Sequence, residues 1–338
     1  MDSKNKNLNI NEVARLAGVS KKSVSRVLNE QKGVSDATRE HIRSIMAEVG
    51  YQPSRQARAL ASAQSFLLGL AYNNQNPSYV LDLLNGSQLA ANALGYEIVM
   101  HRMDANNRAV DEIISFMRRS GCDGLILTPP LSESASIVAK LCDEGWPVVR
   151  IAGDNADFPM PQIRYNDRTA ALKITNQLVA AGHSAIAFIG GPANAGPTLR
   201  RLAGVRDAMA LNDLNLNDAD IQYGDFTFES GRHCAELLLA QEQRPSAIIC
   251  ANDEMAAGVF QTAAALELTI PRDLSVTGFD NSPVASHLWP PLTSVRQPVQ
   301  EMTALAVELL VNPRDQTEAI QQFEAQVVAR ASTAQINS

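Results

Sequence analysis

A compact group of cationic and amide side chains lies near the start of the chain, in the stretch NEVARLAGVSKKSVSRVLN from Asn11 to Asn29. It contains two arginines and two lysines, although the whole protein of 338 residues carries a net charge of -7. Guanidinium and ammonium groups neutralise phosphates, and arginine, lysine and asparagine can also donate hydrogen bonds to the edges of bases. The stretch therefore has the chemistry of a nucleic-acid contact surface.

A second group of polar and aromatic side chains follows apolar runs that are typical of buried strands. These residues are Asn73, Tyr79, Arg200, Arg201, Phe226, Asn252, Asp253 and Asp280. Ligands of doubly wound α/β sheets bind outside the carboxyl ends of the strands. Carboxylates and amides bind pairs of hydroxyl groups, arginine donates a fork, and an aromatic ring covers an apolar face. The group predicts a cleft for a small polyhydroxylated ligand, although Asp253 or Asp280 could instead cap the next helix.

Two short amphipathic helices separated by Gly18 would position the cationic group, because apolar residues recur there at spacings of three and four. These residues are Ile10, Val13, Ala14, Ala17, Val24, Val27 and Leu28. Ser20 suits the N-cap of the second helix, and a third helix from about Ser35 or Thr38 to Val49 would complete a small domain. This order favours a helix-turn-helix with its second helix in the major groove over a basic helix whose charges are only solvated.

The distribution of charge supports this interpretation. Residues 1–62 contain 11 Lys and Arg against 6 Asp and Glu, a net charge of +5, whereas residues 63–338 contain 18 against 30, a net charge of -12. A basic module on an acidic body is expected to contact phosphates. Between them, the stretch from Tyr51 to Ser65 predicts either a linker that becomes helical when a partner holds it or a plain interdomain linker.

From Ser65 onward, apolar and β-branched runs alternate with helical patterns in two successive series. The first series contains SFLLGLAY, YEIVMHRM, DGLILTPP and PVVRIAG, and the second contains IAFIGGP, IQYGDF, AIICAND and LSVTGFD. Such runs separated by helices indicate parallel sheets with helices on both faces. The predicted fold class is therefore an N-terminal all-α helix-turn-helix domain followed by an α/β core of two doubly wound parallel-sheet subdomains.

Other classes of protein are disfavoured. The chain has no G-x-x-x-x-G-K-[ST], G-x-G-x-x-G, G-x-S-x-G or H-E-x-x-H motif, so an enzyme is not expected. Its four cysteines and five histidines are dispersed, so neither a metal site nor a cofactor is expected. The polar start MDSKNKNLNINE does not resemble a signal peptide, which predicts a cytoplasmic protein without a membrane partner and argues against a solute-binding protein of a transporter.

An ordered set of motifs along nearly the whole chain resembles bacterial transcription regulators of the LacI/GalR type. The motifs are NEVARLAGVSKKSVSRVLN, VSDATREHI, GYQPSRQARAL, CDGLILTPP, GHSAIAFIGGP, RRLAGVRDAM, AIICANDEMAAGV, DLSVTGFDNSPVASHLWPPLTSV and VVARAST. The resemblance implies a non-enzymatic regulator that binds DNA and a small-molecule effector. Its fold is expected to be of the periplasmic-binding-protein type, with the chain crossing between subdomains near residues 164, 295 and 322.

The resemblance also assigns residues to the DNA interface. Lys21, Lys22 and Arg26 would read bases, and Ser20, Ser25, Asn29, Ser35 and Thr38 would lie near phosphates. Residues 54 to 62 would form a hinge helix, whose paired copies in a dimer enter the minor groove. In that helix Leu60 would be the wedge between bases, and Ala57 would permit close approach of the two copies.

The resemblance also implies how the chain is divided into domains. A helix-turn-helix domain would span residues 1–53, a hinge 54–64, and an effector-binding and dimerisation core 65–338. The N-subdomain would span about 65–163 and 296–322, and the C-subdomain about 164–295 and 323–338. The implied effector residues are Asn73, Tyr79, Arg201, Phe226, Asn252, Asp280, Trp289 and Gln297. Trp289 could equally pack under a crossover between the subdomains.

The function implied is repression of a carbohydrate operon, with operator affinity controlled allosterically by a sugar or sugar derivative. A purine or other metabolite remains the alternative effector. A homodimer on a palindromic double-stranded DNA operator is expected, because helix-turn-helix proteins commonly bind paired half-sites. No leucine heptad follows VVARAST, so no tetramerisation element is predicted.

Overall fold

The computed structural model describes residues 9–28, 31–51, 62, 64–74, 76–104, 108–151, 160–313 and 320–336. The chain divides into two compact units, one formed by residues 1–67 with 121–123 and the other by residues 68–120 with 124–338. None of the described helices is long and apolar enough to cross a membrane. No cluster of potential metal ligands occurs among the described residues.

Residues 9–51, apart from 29 and 30, form three short helices in the first unit. They are α1 (Ile10–Leu16), α2 (Lys21–Leu28) and α3 (Asp36–Glu48). Asn9 caps α1, and Ser35 caps α3 by accepting a hydrogen bond from the backbone N–H of Thr38. The three helices share one small buried core, to which the apolar spacing of the sequence had assigned Val13, Ala14, Ala17, Val24 and Val27.

The second unit is built on two six-stranded sheets. In chain order its first elements are β1 (Leu67–Tyr72), α4 (Pro77–Ala93), β2 (Glu97–Arg102), α5 (Ala109–Ser120), β3 (Gly124–Leu127), a short 3-10 helix (Leu131–Glu133), α6 (Ala135–Glu144), β4 (Val148–Ile151) and β5 (Gln162–Tyr165). The second series comprises α7 (Asp167–Ala180), β6 (Ile186–Gly190), α8 (Gly196–Leu211), β7 (Ile221–Tyr223), α9 (Phe228–Leu239), β8 (Ala247–Cys250), α10 (Asp253–Ala265), β9 (Ser275–Asp280), α11 (Pro283–His287) and β10 (Thr293–Arg296). The last elements are α12 (Val299–Val311), β11 (Ile320–Phe323) and β12 (Gln326–Val328).

The strand order is β11-β5-β4-β3-β1-β2 in the first sheet and β12-β10-β9-β8-β6-β7 in the second. The pairings are parallel from β11 to β1 in the first sheet and from β7 to β10 in the second, whereas β12 is antiparallel to β10. The chain passes from the first sheet to the second after Tyr165, returns after Arg296, and passes over again between Phe323 and Gln326. This architecture confirms the predicted fold class.

Three pairs of helices pack closely through glycine. A Cβ atom at Gly86 on α4 would lie 2.3 Å from the carbonyl oxygen of Gln300 on α12. At Gly204 on α8 it would lie 2.1 Å from the carbonyl oxygen of Arg168 on α7, and at Gly231 on α9 it would lie 2.3 Å from the backbone of Met255 on α10. Since backbone atoms are among the close neighbours at all three positions, the helices can approach this closely only because these three residues have no side chain.

The substitution Gly204→Ala should therefore lower the free energy of unfolding by about 1 to 3 kcal/mol, because α7 and α8 must move apart to admit the methyl group. Urea denaturation of the full-length protein would measure the change. Arg206→Ala on the same helix is a matched control, since Arg206 is half exposed and pairs with an exposed Asp218. A Gly204→Ala protein as stable as this control would contradict the packing argument.

Candidate functional site

The first candidate site is the face of α2. Gly18 turns the chain between α1 and α2 with a φ of +64°, a conformation that glycine adopts without strain. The hydroxyl of Ser20 then accepts the backbone N–H of Ser23 at 3.1 Å and caps α2. Val24 and Val27 are buried against the other helices, so the opposite face of α2 is left for contact with a partner.

The structure places the predicted DNA-contacting residues as follows. Ser20, Lys21, Lys22 and Ser35 are exposed, whereas Ser25, Arg26 and Thr38 are half-buried. Ser20 and Ser35 are also helix caps, so their hydroxyl groups have structural partners. Asn29, Ala57 and Leu60, with all of the predicted hinge helix except Ser62, lie outside the described residues.

The second candidate site is a cleft at the carboxyl ends of the strands of both sheets. Tyr79, Arg201, Phe226, Asn252, Asp280 and Gln297 line it, together with Asn74, Asn76, Pro129, Tyr165, Asp167, Pro197 and Arg200. Asn73 is not in the lining, although its neighbour Asn74 is. Trp289 is 89% exposed and also lies outside the lining. The structure thus brings six of the eight predicted effector residues together.

Arg201 is held rigidly in the cleft wall. Its Nε donates to Oδ1 of Asp167 at 2.7 Å, its Nη2 donates to the hydroxyl of Tyr165 at 2.8 Å, and its Nη1 donates to the carbonyl oxygen of Ala251. The guanidinium lies over the ring of Phe279, with 4.4 Å between its central carbon and the ring centroid. Three of its five N–H groups are used in these bonds, which leaves two for a further acceptor.

Asp167 is the anion that orients this arginine, and it is only 2% exposed. Its Oδ1 also accepts from the hydroxyl of Tyr165 at 2.6 Å, and its Oδ2 accepts from Nε of Arg200 at 3.1 Å. Burial would raise the pKa of Asp167, but the positive charges of Arg201 and Arg200 outweigh burial and hold it below its ordinary value. Asp167 therefore stays ionised at neutral pH.

Asp280 lies at the end of β9 with an unusual backbone φ of +104°, a conformation that tends to occur at functional sites. Its Oδ2 accepts from Nδ2 of Asn76 at 2.7 Å, and its Oδ1 accepts from Nε2 of Gln297 at 2.5 Å. Burial and the nearby Asp253 raise the pKa of Asp280 well above its ordinary value, while Arg201 opposes the shift. Asn76 caps α4 beside the first sheet, so this bond spans the cleft.

Phe226 and Asn252 form a connected part of the wall. Nδ2 of Asn252 donates to the carbonyl oxygen of Phe226 at 2.8 Å, and Oδ1 of Asn252 accepts from the backbone N–H of Met255. Phe226 has a φ of +68°. A Cβ atom at Gly191 would lie 2.1 Å from the Phe226 ring, so glycine is needed there to seat the ring.

Asp253 does not cap α10, because Asn252 does, nor does Asp280 cap α11 with its side chain. The Asp253 carboxylate accepts from the backbone N–H of Ser282 at 2.7 Å and from the hydroxyl of Ser294 at 2.6 Å. Burial raises the pKa of Asp253 to about 6. It lies behind the cleft wall and braces the loop that follows Asp280.

Sequence reasoning missed Asn76, Tyr165 and Asp167 as cleft residues. Asn76 falls inside YNNQNPSY, immediately before the proline that starts α4, and a helix-capping asparagine at that position could have identified it. Tyr165 and Asp167 follow the strand QIRY, which is not an apolar run. These two residues could have been predicted only if the sequence had shown that QIRY forms a strand.

Comparison with known proteins agrees with this architecture. Residues 9–54 match the family model described as bacterial regulatory proteins, lacI family, and residues 175–333 match a periplasmic binding protein-like domain. The ribose operon repressor of Escherichia coli (strain K12) is 32% identical over 303 residues, which are 89% of this chain and 91% of that protein. Catabolite control protein A of Priestia megaterium is 30% identical over 334 residues, which cover 97% and 99% of the two chains.

A solved structure of the lac repressor dimer bound to operator and the anti-inducer ONPF superposes with a TM-score of 0.82 and is 27% identical, covering 97% of this chain and 99% of that chain. The first match lies within the helical unit, and the second covers residues 175–333 of the α/β unit, which include the cleft residues Arg201, Asn252 and Asp280. A DNA-binding helix-turn-helix joined to a small-molecule cleft is the arrangement of a transcription regulator rather than of an enzyme. The chain belongs to the lacI family of bacterial regulatory proteins.

Proposed function

We propose that this protein is a cytoplasmic repressor of a carbohydrate uptake or catabolism operon. In this proposal a homodimer binds a palindromic operator through α2 of each copy, and a sugar or sugar derivative in the cleft controls operator affinity. The observation that carries the proposal is the cleft itself, in which Arg201, Asp280 and Asn252 converge with the rings of Phe226 and Tyr79. Such a combination of forked donors, acceptors and aromatic faces suits a polyhydroxylated ring.

The charges around the cleft favour an uncharged effector. The guanidinium groups of Arg200 and Arg201 are matched by the carboxylates of Glu133 and Asp167, with which they form ion pairs. Asp280 adds either no charge or a negative one. Because no net positive charge remains for a phosphate, a neutral sugar fits this wall better than a sugar phosphate.

Operator control requires that the effector bind two states of the protein with different affinities, a coupling that is typically worth about 1 to 3 kcal/mol. The direct test is fluorescence anisotropy of the full-length protein on DNA from its own gene neighbourhood, with D-ribose, ribose 5-phosphate, cellobiose and hypoxanthine added singly. Release by one neutral sugar would support an inducible repressor. A response to hypoxanthine alone would favour the purine alternative, and the absence of specific DNA binding would overturn the proposal.

The role assigned to α2 makes a separate prediction. Arg26→Ala should weaken specific operator binding by about 1 to 3 kcal/mol, because a bidentate donor to a base edge would be lost. Competition titrations with specific and scrambled DNA would measure this loss and show that specificity falls with it. Lys140→Ala, which removes an exposed cation from α6, should leave both affinities unchanged. Equal losses on specific and scrambled DNA would contradict a base-reading role.

A further inference from the structure

Arg200 connects the two sides of the cleft through ion pairs. Its Nη1 donates to Oε1 of Glu133 at 2.9 Å, and its Nε donates to Oδ2 of Asp167 at 3.1 Å. Glu133 belongs to the 3-10 helix that follows β3 of the first sheet, whereas Arg200 lies on α8 beside the second sheet. The side chains of Arg200 and Glu133 are only 18% and 20% exposed, so solvent screens the pair less than it screens a surface pair.

The same arginine also supports the residue that would contact the effector. Asp167 holds Arg200 through Oδ2 and Arg201 through Oδ1. The four charges form a continuous row from Glu133 through Arg200 and Asp167 to Arg201. Any separation of the two sides must break the bond between Glu133 and Arg200, and that bond fixes one end of the row.

The backbone at Gly196 leaves space for the ion pair between Glu133 and Arg200, which forms a bridge across the cleft. A Cβ atom at Gly196, the first residue of α8, would lie 2.5 Å from both carboxylate oxygens of Glu133 and 2.8 Å from Nη1 of Arg200. A methyl group there would force the carboxylate of Glu133 or the guanidinium of Arg200 to move from its present position. Glycine at this position therefore leaves room for a cross-cleft contact rather than for a turn.

We propose that Arg200 is a positioning residue that latches the cleft: through Glu133 it holds the two sides together when no effector is bound, and through Asp167 it orients Arg201. This inference rests on the proposed function, since the latch would set the fraction of protein with a closed cleft, and both operator affinity and effector affinity would depend on that fraction. Because the cleft is lined from both sides, a ligand that touches both binds best to the closed form. Weakening the latch should then lower effector affinity and change operator affinity.

The test uses two variants that break the bridge in different ways. Arg200→Met removes the cation, whereas Gly196→Ala keeps all four charges and displaces the carboxylate of Glu133. Arg168→Met is the matched control, because Arg168 forms a bidentate pair with Asp207 between α7 and α8 on one side of the cleft only. Arg200→Lys can reach one carboxylate but not both at once, so it should restore the wild-type behaviour in part.

Hydrogen exchange of the full-length protein is the first readout. Residues 76–79 and 280–284 line the cleft or adjoin it, and they take no part in the bonds from Arg200 to Glu133 and Asp167. We expect faster exchange there in Arg200→Met and Gly196→Ala, with the melting temperature of Gly196→Ala unchanged, and no such effect in Arg168→Met. Faster exchange confined to residues 131–133 and 196–201 would overturn the latch, because it would show a local contact only.

Operator affinity without any added small molecule is the second readout. Both bridge-breaking variants should shift it in the same direction by roughly fivefold or more, the lower end of measured allosteric couplings, while the control stays at the wild-type value. Variants that bind like wild type would overturn the latch. A wild-type protein that binds no specific DNA would instead overturn the proposed function, and the exchange experiment would still decide whether the latch exists.

Discussion

Arg201→Met is expected to lower the free energy of unfolding by about 3 to 5 kcal/mol, because it removes one partner of a buried, hydrogen-bonded ion pair. The Arg201 and Asp167 side chains are 5% and 2% exposed, so water cannot replace the lost guanidinium. Tyr165 and the carbonyl oxygen of Ala251 would each lose a hydrogen bond as well. The ring of Phe279 would lose its cation–π contact.

Urea denaturation of the full-length protein would measure this loss. Arg206→Met on the same helix is the control, since Arg206 is half exposed and its ion pair is expected to contribute about 1 kcal/mol or less. An Arg201→Met protein within about 1 kcal/mol of the wild type would mean that Asp167 is adequately held by Arg200 and Tyr165 alone. Arg201 would then be a ligand-binding residue without a structural role.

Asp280→Ala is expected to abolish the response to effector while the protein still binds its operator specifically. In the proposed function this side chain accepts from vicinal hydroxyls of the effector, and in the structure Asn76 and Gln297 donate to both of its oxygens. An effector that binds Asp280 must therefore replace or share these bonds. Alanine offers no acceptor for it to use.

The measurement is a fluorescence anisotropy titration on operator DNA, performed with whichever compound changes the operator affinity of the wild-type protein. Trp289→Ala is the matched control, because this tryptophan is fully outside the cleft lining despite its place among the expected effector residues. It should respond like wild type. A normal response from Asp280→Ala, or a lost response from Trp289→Ala, would contradict the assignment of the effector site to this cleft.

The sequence was sufficient wherever burial imposed a regular pattern. Eight apolar runs correspond to β1–β4 and β6–β9, of which six lie inside the sheets, whereas β2 and β7 are edge strands. The apolar spacing around Gly18 similarly identified the buried residues of α1 and α2. Polar residues directly after these strands include Arg201, Asn252 and Asp280, because the carboxyl ends of parallel strands share one edge.

Strands without a continuous apolar run could not be identified from the sequence. In β5 the side chain of Gln162 is buried although it is polar, and β10 buries the hydroxyl groups of Thr293 and Ser294. The strands β11 and β12 are short and lie at sheet edges. These four strands adjoin the crossovers, and Tyr165 and Asp167 were missed with β5.

The sequence by itself determined the local elements, the charge asymmetry and the family, because these depend on residues close together along the chain. Only the tertiary structure decided which side chains meet across the cleft. The contacts between Glu133 and Arg200 and between Asn76 and Asp280 join residues 67 and 204 positions apart, and no periodicity encodes such pairs. Trp289 shows the opposite case. The sequence placed it among the expected effector residues, but its side chain is exposed to solvent and lies outside the cleft lining.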